Sequence, residues 1–375
     1  MTLRVRPLTR GEHLGFVTRR RSCSFLQTPA WGAVKQDWRA ESIGWSRPGD
    51  PRGELVGAGL VLYRQLPRLR RYLAYLPEGP DIDWSDPDLV RWLTPLVDHL
   101  RRRRAFAVRM GPPVVTRRWS ASTVKDAVAA GGVRRLADLA PDDAPADGAR
   151  VTAALRRLGW RPPRGDEGGF GAGQPRYVFQ LPLDGRREED LLARFNQQWR
   201  RNVKKAEKSG VVVQRGGAAE LAAFHGLYVE TARRDGVSPR PLPYFTTMWQ
   251  AMTAEDPDRI RLYLARHEGD LVAAATMVRV GAHAWYSYGA SSTEKRDVRG
   301  SNAVQWAMMR SALDAGADVY DLRGITDTLD ESDSHAGLVQ FKAGTGGRAV
   351  EYAGEWDLPL SRPLYKAVEL YLKYR

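Results

Sequence analysis

Gly53-Glu54-Leu55-Val56-Gly57-Ala58-Gly59 and Gly269-Asp270-Leu271-Val272-Ala273-Ala274-Ala275 are two copies of one phrase: a glycine, an acid and an apolar run. Each reads as a turn feeding a buried strand. An aromatic strand follows in both places, Tyr72-Leu73-Ala74-Tyr75 and Trp285-Tyr286-Ser287-Tyr288. A helical stretch then carries Trp92 or Trp306, and a last strand ends in Val108-Arg109 or in Asp321-Leu322-Arg323. Trp92 and Arg109 are 17 residues apart, as are Trp306 and Arg323. Strand, strand, helix, strand therefore occurs twice in the same order, and such self-similarity marks a duplicated architecture.

The class expected is α/β (α+β). A hairpin followed by a right-handed β-α-β crossover is also the core of the GNAT acyltransferases, so the repeat predicts two GNAT-like domains related by internal duplication. The first covers residues 1–172 and is completed by the C-terminal 348–375; the second covers 173–347. Residues 138–148 (DLAPDDAPADG) read as a surface loop, and the Gly/Pro-rich 161–175 as the boundary. The segment 364–374 is helical in pattern and is expected to pack back on the first half. GNAT enzymes hold a CoA pyrophosphate on an R/Q-x-x-G-x-G/A loop at a helix start. Here Asp297-Val298-Arg299-Gly300-Ser301-Asn302 lacks the first and last of these features, and Trp84-Ser85-Asp86-Pro87 puts an acid where phosphate would sit. An acyl-CoA N-acyltransferase is thus the weaker enzyme reading.

The 375 residues, 43% hydrophobic and 27% charged, suffice for two domains with real cores. No apolar run reaches the ~18 residues of a membrane-spanning helix, and MTLRVRPLTRGEH has no signal-like apolar region. A cytoplasmic protein is expected. Cys23 is the single cysteine, which excludes an intrachain disulfide and a cysteine-based metal site, and it reads as a small core residue. The six histidines form no metal-binding spacing, and no G-x-S-x-G elbow or Walker A loop is present. No metal and no cofactor is called for. Covalent catalysis and metal hydrolysis fall away, leaving direct attack on an acyl donor that is already activated.

The net charge of +14 fits a polyanionic partner, or an arginine-rich bias spread over pairs such as Arg117-Arg118 and Arg156-Arg157. Organisation of the charge decides between these. Residues 188–209 (EEDLLARFNQQWRRNVKKAEKS) predict one helix, acids first and bases last, ended by Gly210. At about 100° per residue, Leu191, Leu192, Phe195, Trp199, Val203 and Ala206 share one arc. Arg194, Arg200, Arg201, Lys204, Lys205 and Lys208 fill the other. That arc is either a solvated face or a phosphate-binding ridge; a solvated face usually interleaves acids. A basic RNA-binding protein without enzymatic activity would interleave aromatics with the bases, whereas Phe195 and Trp199 fall on the apolar arc.

Further motifs are Ser24-Phe25-Leu26-Gln27-Thr28-Pro29-Ala30-Trp31-Gly32-Ala33-Val34-Lys35, Tyr75-Leu76-Pro77-Glu78-Gly79-Pro80-Asp81-Ile82-Asp83 and Gln174-Pro175-Arg176. With them go Tyr320-Asp321-Leu322-Arg323-Gly324-Ile325 and Gly337-Leu338-Val339-Gln340-Phe341-Lys342-Ala343-Gly344. Together, in this order, they resemble the FemXAB family of aminoacyl-tRNA-dependent peptidyl transferases, from about residue 20 to 360. The resemblance implies an aminoacyltransferase of peptidoglycan biosynthesis, acting in cell-wall biogenesis and cell shape. Glycine, alanine or serine would pass from aminoacyl-tRNA to a stem-peptide amine of UDP-MurNAc-pentapeptide or lipid II, the latter met at the inner face of the membrane. A related reading keeps the tRNA donor and makes a peptide natural product.

The resemblance also assigns residues. It puts Lys342, after Phe341, at the reaction centre. It puts Lys35 and Arg201, or Arg200, on the diphosphate of the precursor, with Lys204 and Lys205 on the same ridge. It takes the aromatic hydroxyl of the second domain's central strand as Tyr288 or Tyr286, and it places Tyr75 among the acceptor contacts. From the residues themselves, Asp83 and Asp321 are candidates to orient the amine and take its proton, or else to cap strand-end turns. Two departures stand out. Glu78 replaces the basic residue common between proline and glycine in the Tyr75 motif, and residues 231–258 carry no heptads for the coiled-coil arm that some relatives insert.

Overall fold

The computed structural model describes residues 3–49, 53–163 and 173–373. The chain divides into two compact units. The first comprises Met1–Arg118, Asp143–Tyr177 and Glu351–Arg375, and the second Trp119–Asp142 and Val178–Val350. Their strands are β1 (Arg4–Pro7), β2 (Arg39–Ser46), β3 (Leu55–Gln65), β4 (Tyr72–Leu76), β5 (Ala105–Met110), β6 (Val115–Ser120), β7 (Tyr177–Pro182), β8 (Val212–Gly216), β9 (Ile260–His267), β10 (Asp270–Val280), β11 (His283–Ser291), β12 (Val319–Ile325), β13 (Arg348–Tyr352) and β14 (Trp356–Pro359). The helices are α1 (Arg10–Arg19), α2 (Pro29–Val34), α3 (Val90–Arg102), α4 (Ala121–Ala130), α5 (Ala146–Arg157), α6 (Glu188–Arg194), α7 (Gln197–Lys208), α8 (Leu221–Arg234), α9 (Leu242–Thr253), α10 (Gly300–Asp314), α11 (Ala336–Ala343) and α12 (Arg362–Lys373). None is long and apolar enough to cross a membrane.

The repeat is visible in the sheets. One runs β1-β2-β3-β4-β5-β14; the other runs β6-β13-β7-β12-β11-β10-β9-β8. Within them β1 to β5 and β8 to β12 are laid down in the same order, three antiparallel steps and then a parallel one. The parallel steps are bridged by α3 and by α10, so both quoted glycine-acid phrases open the second strand of a hairpin. Between β9 and β10 the two turn residues, Glu268 (φ 52°) and Gly269 (φ 87°), both take the left-handed conformation of a two-residue hairpin turn.

In the first unit the hydrophobic core gathers Trp45, Trp92, Leu96, Leu100 and Trp356, with the Trp45 indole donating to the Trp92 carbonyl at 2.8 Å. The chain's end returns here: β14 pairs with β5, and Tyr365 of α12 packs on Phe106 and Ala107. In the second unit α8 and α9 cover the sheet through Phe224, Phe245, Leu262 and Leu264. Residues 231–258 form the end of α8, a turn and α9, with no long helical arm among the described residues.

Two local expectations are corrected. Residues 188–209 are two helices, because the Asn196 side chain accepts from the Trp199 N–H at 2.8 Å and starts α7 afresh. The stretch 138–148 is loop only to Pro145, since α5 begins at Ala146. Residues 119–142, on the first-domain side of a division at 172, group with the second unit: the Ala121 N–H bonds the Gly347 carbonyl at 3.0 Å and the Leu136 N–H that of Asp327 at 2.7 Å. Within 161–175, residues 164–172 just before the expected boundary lie outside the described residues.

Candidate active site

The parallel pairs of the two units differ. β4 and β5 pair along five positions, Tyr72↔Ala105 and then, after a one-residue shift, Leu73↔Ala107 to Leu76↔Met110. β11 and β12 pair only at His283↔Val319, Ala284↔Tyr320 and Trp285↔Asp321. Beyond that point β11 is bulged opposite Thr276 and Met277, and Arg323 of β12 adopts φ 64°. A bulky residue in that conformation is strained, and such strain gathers at functional sites.

The turn is built around Asp321. Its buried carboxylate accepts the Arg323 N–H at 2.6 Å and the Gln180 amide at 3.1 Å, with the His283 imidazole at 3.5 Å. Burial works against its charge, yet His283, Arg323 and Gln180 together hold its pKa below the usual value. The turn aims two carbonyls at Lys342: Nζ donates to Gly324 O at 2.7 Å and to Arg323 O at 3.2 Å. Lys342 is 3% exposed. Burial pushes its pKa down to about 7, with Asp321 opposing and Arg323 assisting. An ammonium has three donors, so one remains for a substrate oxygen.

Phe341 joins this centre to the basic helix. Its ring lies 4.8 Å from that of Trp199, and its carbonyl accepts the Trp199 indole N–H at 2.7 Å. Phe195 and Trp199 are buried as the apolar arc requires, although the helix is broken between them. Arg194, Arg201, Lys204, Lys205 and Lys208 are exposed. Arg200 instead turns back onto the carbonyls of Ala193 and Phe195, closing α6. After Lys342 the chain runs through Gly346 and Gly347, which line a cavity of about 560 Å³ with Lys125, Arg186, Arg194 and Arg348, Asp126 being the one acid. Burial and the charge of Arg194 depress the pKa of Arg186, with Asp190 opposing them only in part.

Tyr286 and Tyr288 part company at the bulge. The Tyr286 ring lies across Gly289, where a Cβ would come within 1.8 Å of the hydroxyl, and it lines a cavity of about 190 Å³ with Thr231, Arg234 and Gln305. Burial, helped by Asp235, pushes its hydroxyl up to about 12. Tyr288 joins the α8–α9 aromatic cluster, its hydroxyl 3.1 Å from that of Tyr244.

The remaining candidates belong to the first unit. The buried Gln27 amide donates to Pro77 O at 2.7 Å and accepts the Leu60 N–H at 2.9 Å, locking the early motif to the Tyr75 motif. Lys35 Nζ sits 4.7 Å above the Trp31 ring. Tyr75 donates to Glu355 at 2.5 Å and packs against Trp38. Burial raises the pKa of both Tyr75 and Glu355. Glu78 accepts from the Ser24 hydroxyl at 2.6 Å. Asp83 is exposed and accepts from the Ser85 N–H and hydroxyl at 3.0 and 2.5 Å. For Asp83 and Asp321 alike, the hydrogen bonds describe turn caps.

Phe341, Lys342, Asp321 and the α7 ridge thus form one constellation in the second unit, while Lys35, Tyr75 and Asp83 lie in the first. Gln180, His283 and Glu355 complete these networks and were not foreseen. A lone histidine two residues before an aromatic strand was the one available signal, for His283.

A model of the FemAB family matches residues 8–267 and 261–373. The chain belongs to the FemAB family. A lipid II:glycine glycyltransferase of Staphylococcus aureus (strain MRSA252) is 24% identical over 96% of this chain and 94% of its own. The crystal structure of FemX is similar at TM-score 0.80 and 23% identity, covering 97% of this chain and 99% of that one. A tandem GNAT protein from the clavulanic acid biosynthesis pathway is similar at TM-score 0.51 and 12% identity, over 96% and 98% of the two chains. This FemAB-family chain therefore has the duplicated GNAT-like fold that its repeat predicted.

Proposed function

We propose that this FemAB-family protein transfers an amino acid from aminoacyl-tRNA to the side-chain amine of a peptidoglycan stem peptide, extending an interpeptide bridge. The observation that carries the reading is Lys342, buried and held by two backbone carbonyls, which leaves one of its three N–H groups for a substrate oxygen. Family membership and the glycyltransferase relative support a peptidoglycan precursor as acceptor and favour glycine over alanine or serine.

In this reaction the acceptor nitrogen attacks the ester carbonyl carbon. A C–N bond forms, the bond to the ribose oxygen breaks, and the ribose hydroxyl leaves with a proton. The ester is already activated, so no enzyme-bound acyl group is needed. An alkyl ammonium has a pKa around 10, and deprotonating it at pH 7 costs on the order of 4 kcal/mol. Charge then develops on the ester oxygen, and the third N–H of Lys342 donates to it, a role typically worth about 3–4 kcal/mol. Asp321 acts as a positioning residue: it holds the Arg323 turn that fixes Lys342. The cavity lined by Lys125, Arg186, Arg194 and Arg348 and the exposed row of α7 supply positive charge for phosphates of donor and precursor. Lys35 and Arg201 are assigned to the precursor diphosphate.

Incubation with radiolabelled glycyl-, alanyl- and seryl-tRNA and a lysine- or diaminopimelate-containing precursor tests this. Label should enter the precursor, with glycine fastest, and ribonuclease should abolish it. Transfer that survives ribonuclease, or that proceeds from acyl-CoA, refutes the reading.

A further inference from the structure

A second concentration of positive charge lies in the first unit, built from residues given no role above. Pro67-Arg68-Leu69-Arg70-Arg71 forms the tip between β3 and β4, closed by the Leu66 N–H bonding the Arg71 carbonyl at 2.9 Å. Residues 101–104, four consecutive arginines, end α3 and turn into β5, and the Arg104 carbonyl accepts the Tyr72 N–H at 3.2 Å, tying that turn to the hairpin. Two surface cavities of about 390 and 400 Å³ meet here and share Arg70 and Arg104.

Three features separate this patch from ordinary solvated charge. Glu41 engages Arg103 at 2.6 Å and Asp98 engages Arg101 at 3.4 Å, but Arg68, Arg70, Arg71, Arg102 and Arg104 have no acidic partner among the described residues. Arg68 (φ 62°) and Arg104 (φ 64°) occupy the left-handed conformation that glycine fills without strain, so arginine sits there at a conformational cost. Leu69, at the tip between Arg68 and Arg70, is 47% exposed. Alongside, Leu364 and Val368 of α12 pack with Leu66 and Leu73 at the base of the hairpin, and the same helix exposes Leu370.

We propose that the 67–71 tip and the 101–104 turn dock this unit onto an anionic phospholipid surface. The arginines bind headgroup phosphates and Leu69 enters the boundary with the acyl chains. An RNA partner fits less well, because of the nearby rings Tyr63 is buried and the Arg39 guanidinium already stacks on both Tyr63 and Tyr72, at 4.5 and 4.9 Å, in the place a base would take. An exposed leucine also has nothing to gain from a phosphate backbone. The proposal deepens the function above by giving a lipid-linked acceptor the surface on which it is met; it rests on that reading for its purpose and on the patch for its evidence.

Sedimentation of the full chain with vesicles tests it. The protein should bind phosphatidylcholine vesicles containing phosphatidylglycerol and ignore phosphatidylcholine alone, with binding weakened by salt. Arg70→Glu with Arg71→Glu should lower affinity by at least about tenfold, since each arginine near an anionic surface is worth roughly fivefold. Leu69→Ser should lower it further. Lys204→Glu with Lys205→Glu, the same change of net charge in the second unit, should leave vesicle binding intact. Equal loss in both double variants would mean that net charge alone drives binding and would overturn the proposal. So would unchanged vesicle binding by the arginine variant together with weakened tRNA binding, which would make the patch an RNA surface. Transfer to a water-soluble, nucleotide-linked precursor should be unaffected by the arginine variant. Vesicle binding without any transfer would refute the proposed function and leave the docking surface standing.

Discussion

At Lys342 burial acts directly on a charged group. Its pKa of about 7 in the fold lies below the ordinary lysine value of 10.5, so the folded state disfavours the charged form. Between these two pH values the unfolded chain binds more protons than the folded one, and stability must rise with pH. The penalty is complete below about pH 7, amounts to a few kcal/mol and is gone above about pH 10.5. Lys342→Met should therefore remove this slope and be more stable than the parent at neutral pH. Urea unfolding across the range checks it; an unchanged slope in the variant would show that Lys342 is not desolvated. The same titration should give kcat/KM a descending limb near pH 7 in the free enzyme, as the ammonium that donates to the oxyanion is lost.

At the scale of elements, the joint between α7 and α11 ties the basic helix to the helix that carries Lys342. Gly344 makes it possible: a Cβ there would lie 2.1 Å from the Trp199 ring, which itself bonds Phe341 O. Gly344→Ala should cost about 1–3 kcal/mol by overpacking and should cost little in a Trp199→Ala background, since the two sites share one contact. Additive losses by urea unfolding would contradict this. The joint also marks where reading the sequence stops. The apolar arc through Leu191, Phe195, Trp199 and Ala206 was legible because burial follows helical periodicity, and all four are buried. The break at Asn196 was not, because Gln197 and Gln198 continue as helix formers and hide a cap. The contact of Trp199 with Phe341 joins residues 142 positions apart, which no local pattern reports. Nor does any pattern announce that Arg323 takes a left-handed conformation or that Gln180 meets Asp321.

For the whole molecule, the duplication was the most legible feature, since turn, aromatic strand, helix and strand recur at matched spacing. What the repeat could not disclose is how its halves diverge. β4 and β5 remain zipped, while β11 and β12 separate after three pairs and a lysine from a distant helix is held by the carbonyls at the loose end. In the proposed function that divergence divides the work, with Lys342 in the second unit at the reaction centre and acceptor contacts assigned to Lys35 and Tyr75 in the first. The most direct measurement is the single-turnover rate of aminoacyl transfer set beside precursor affinity for Lys342→Met, Lys35→Met and Arg201→Met. Lys342→Met should lose about 10²–10³-fold in rate and keep precursor affinity, whereas the other two should weaken precursor binding and react near normally once saturated. Equal loss of affinity in all three, with the rate of Lys342→Met intact at saturation, would contradict the account.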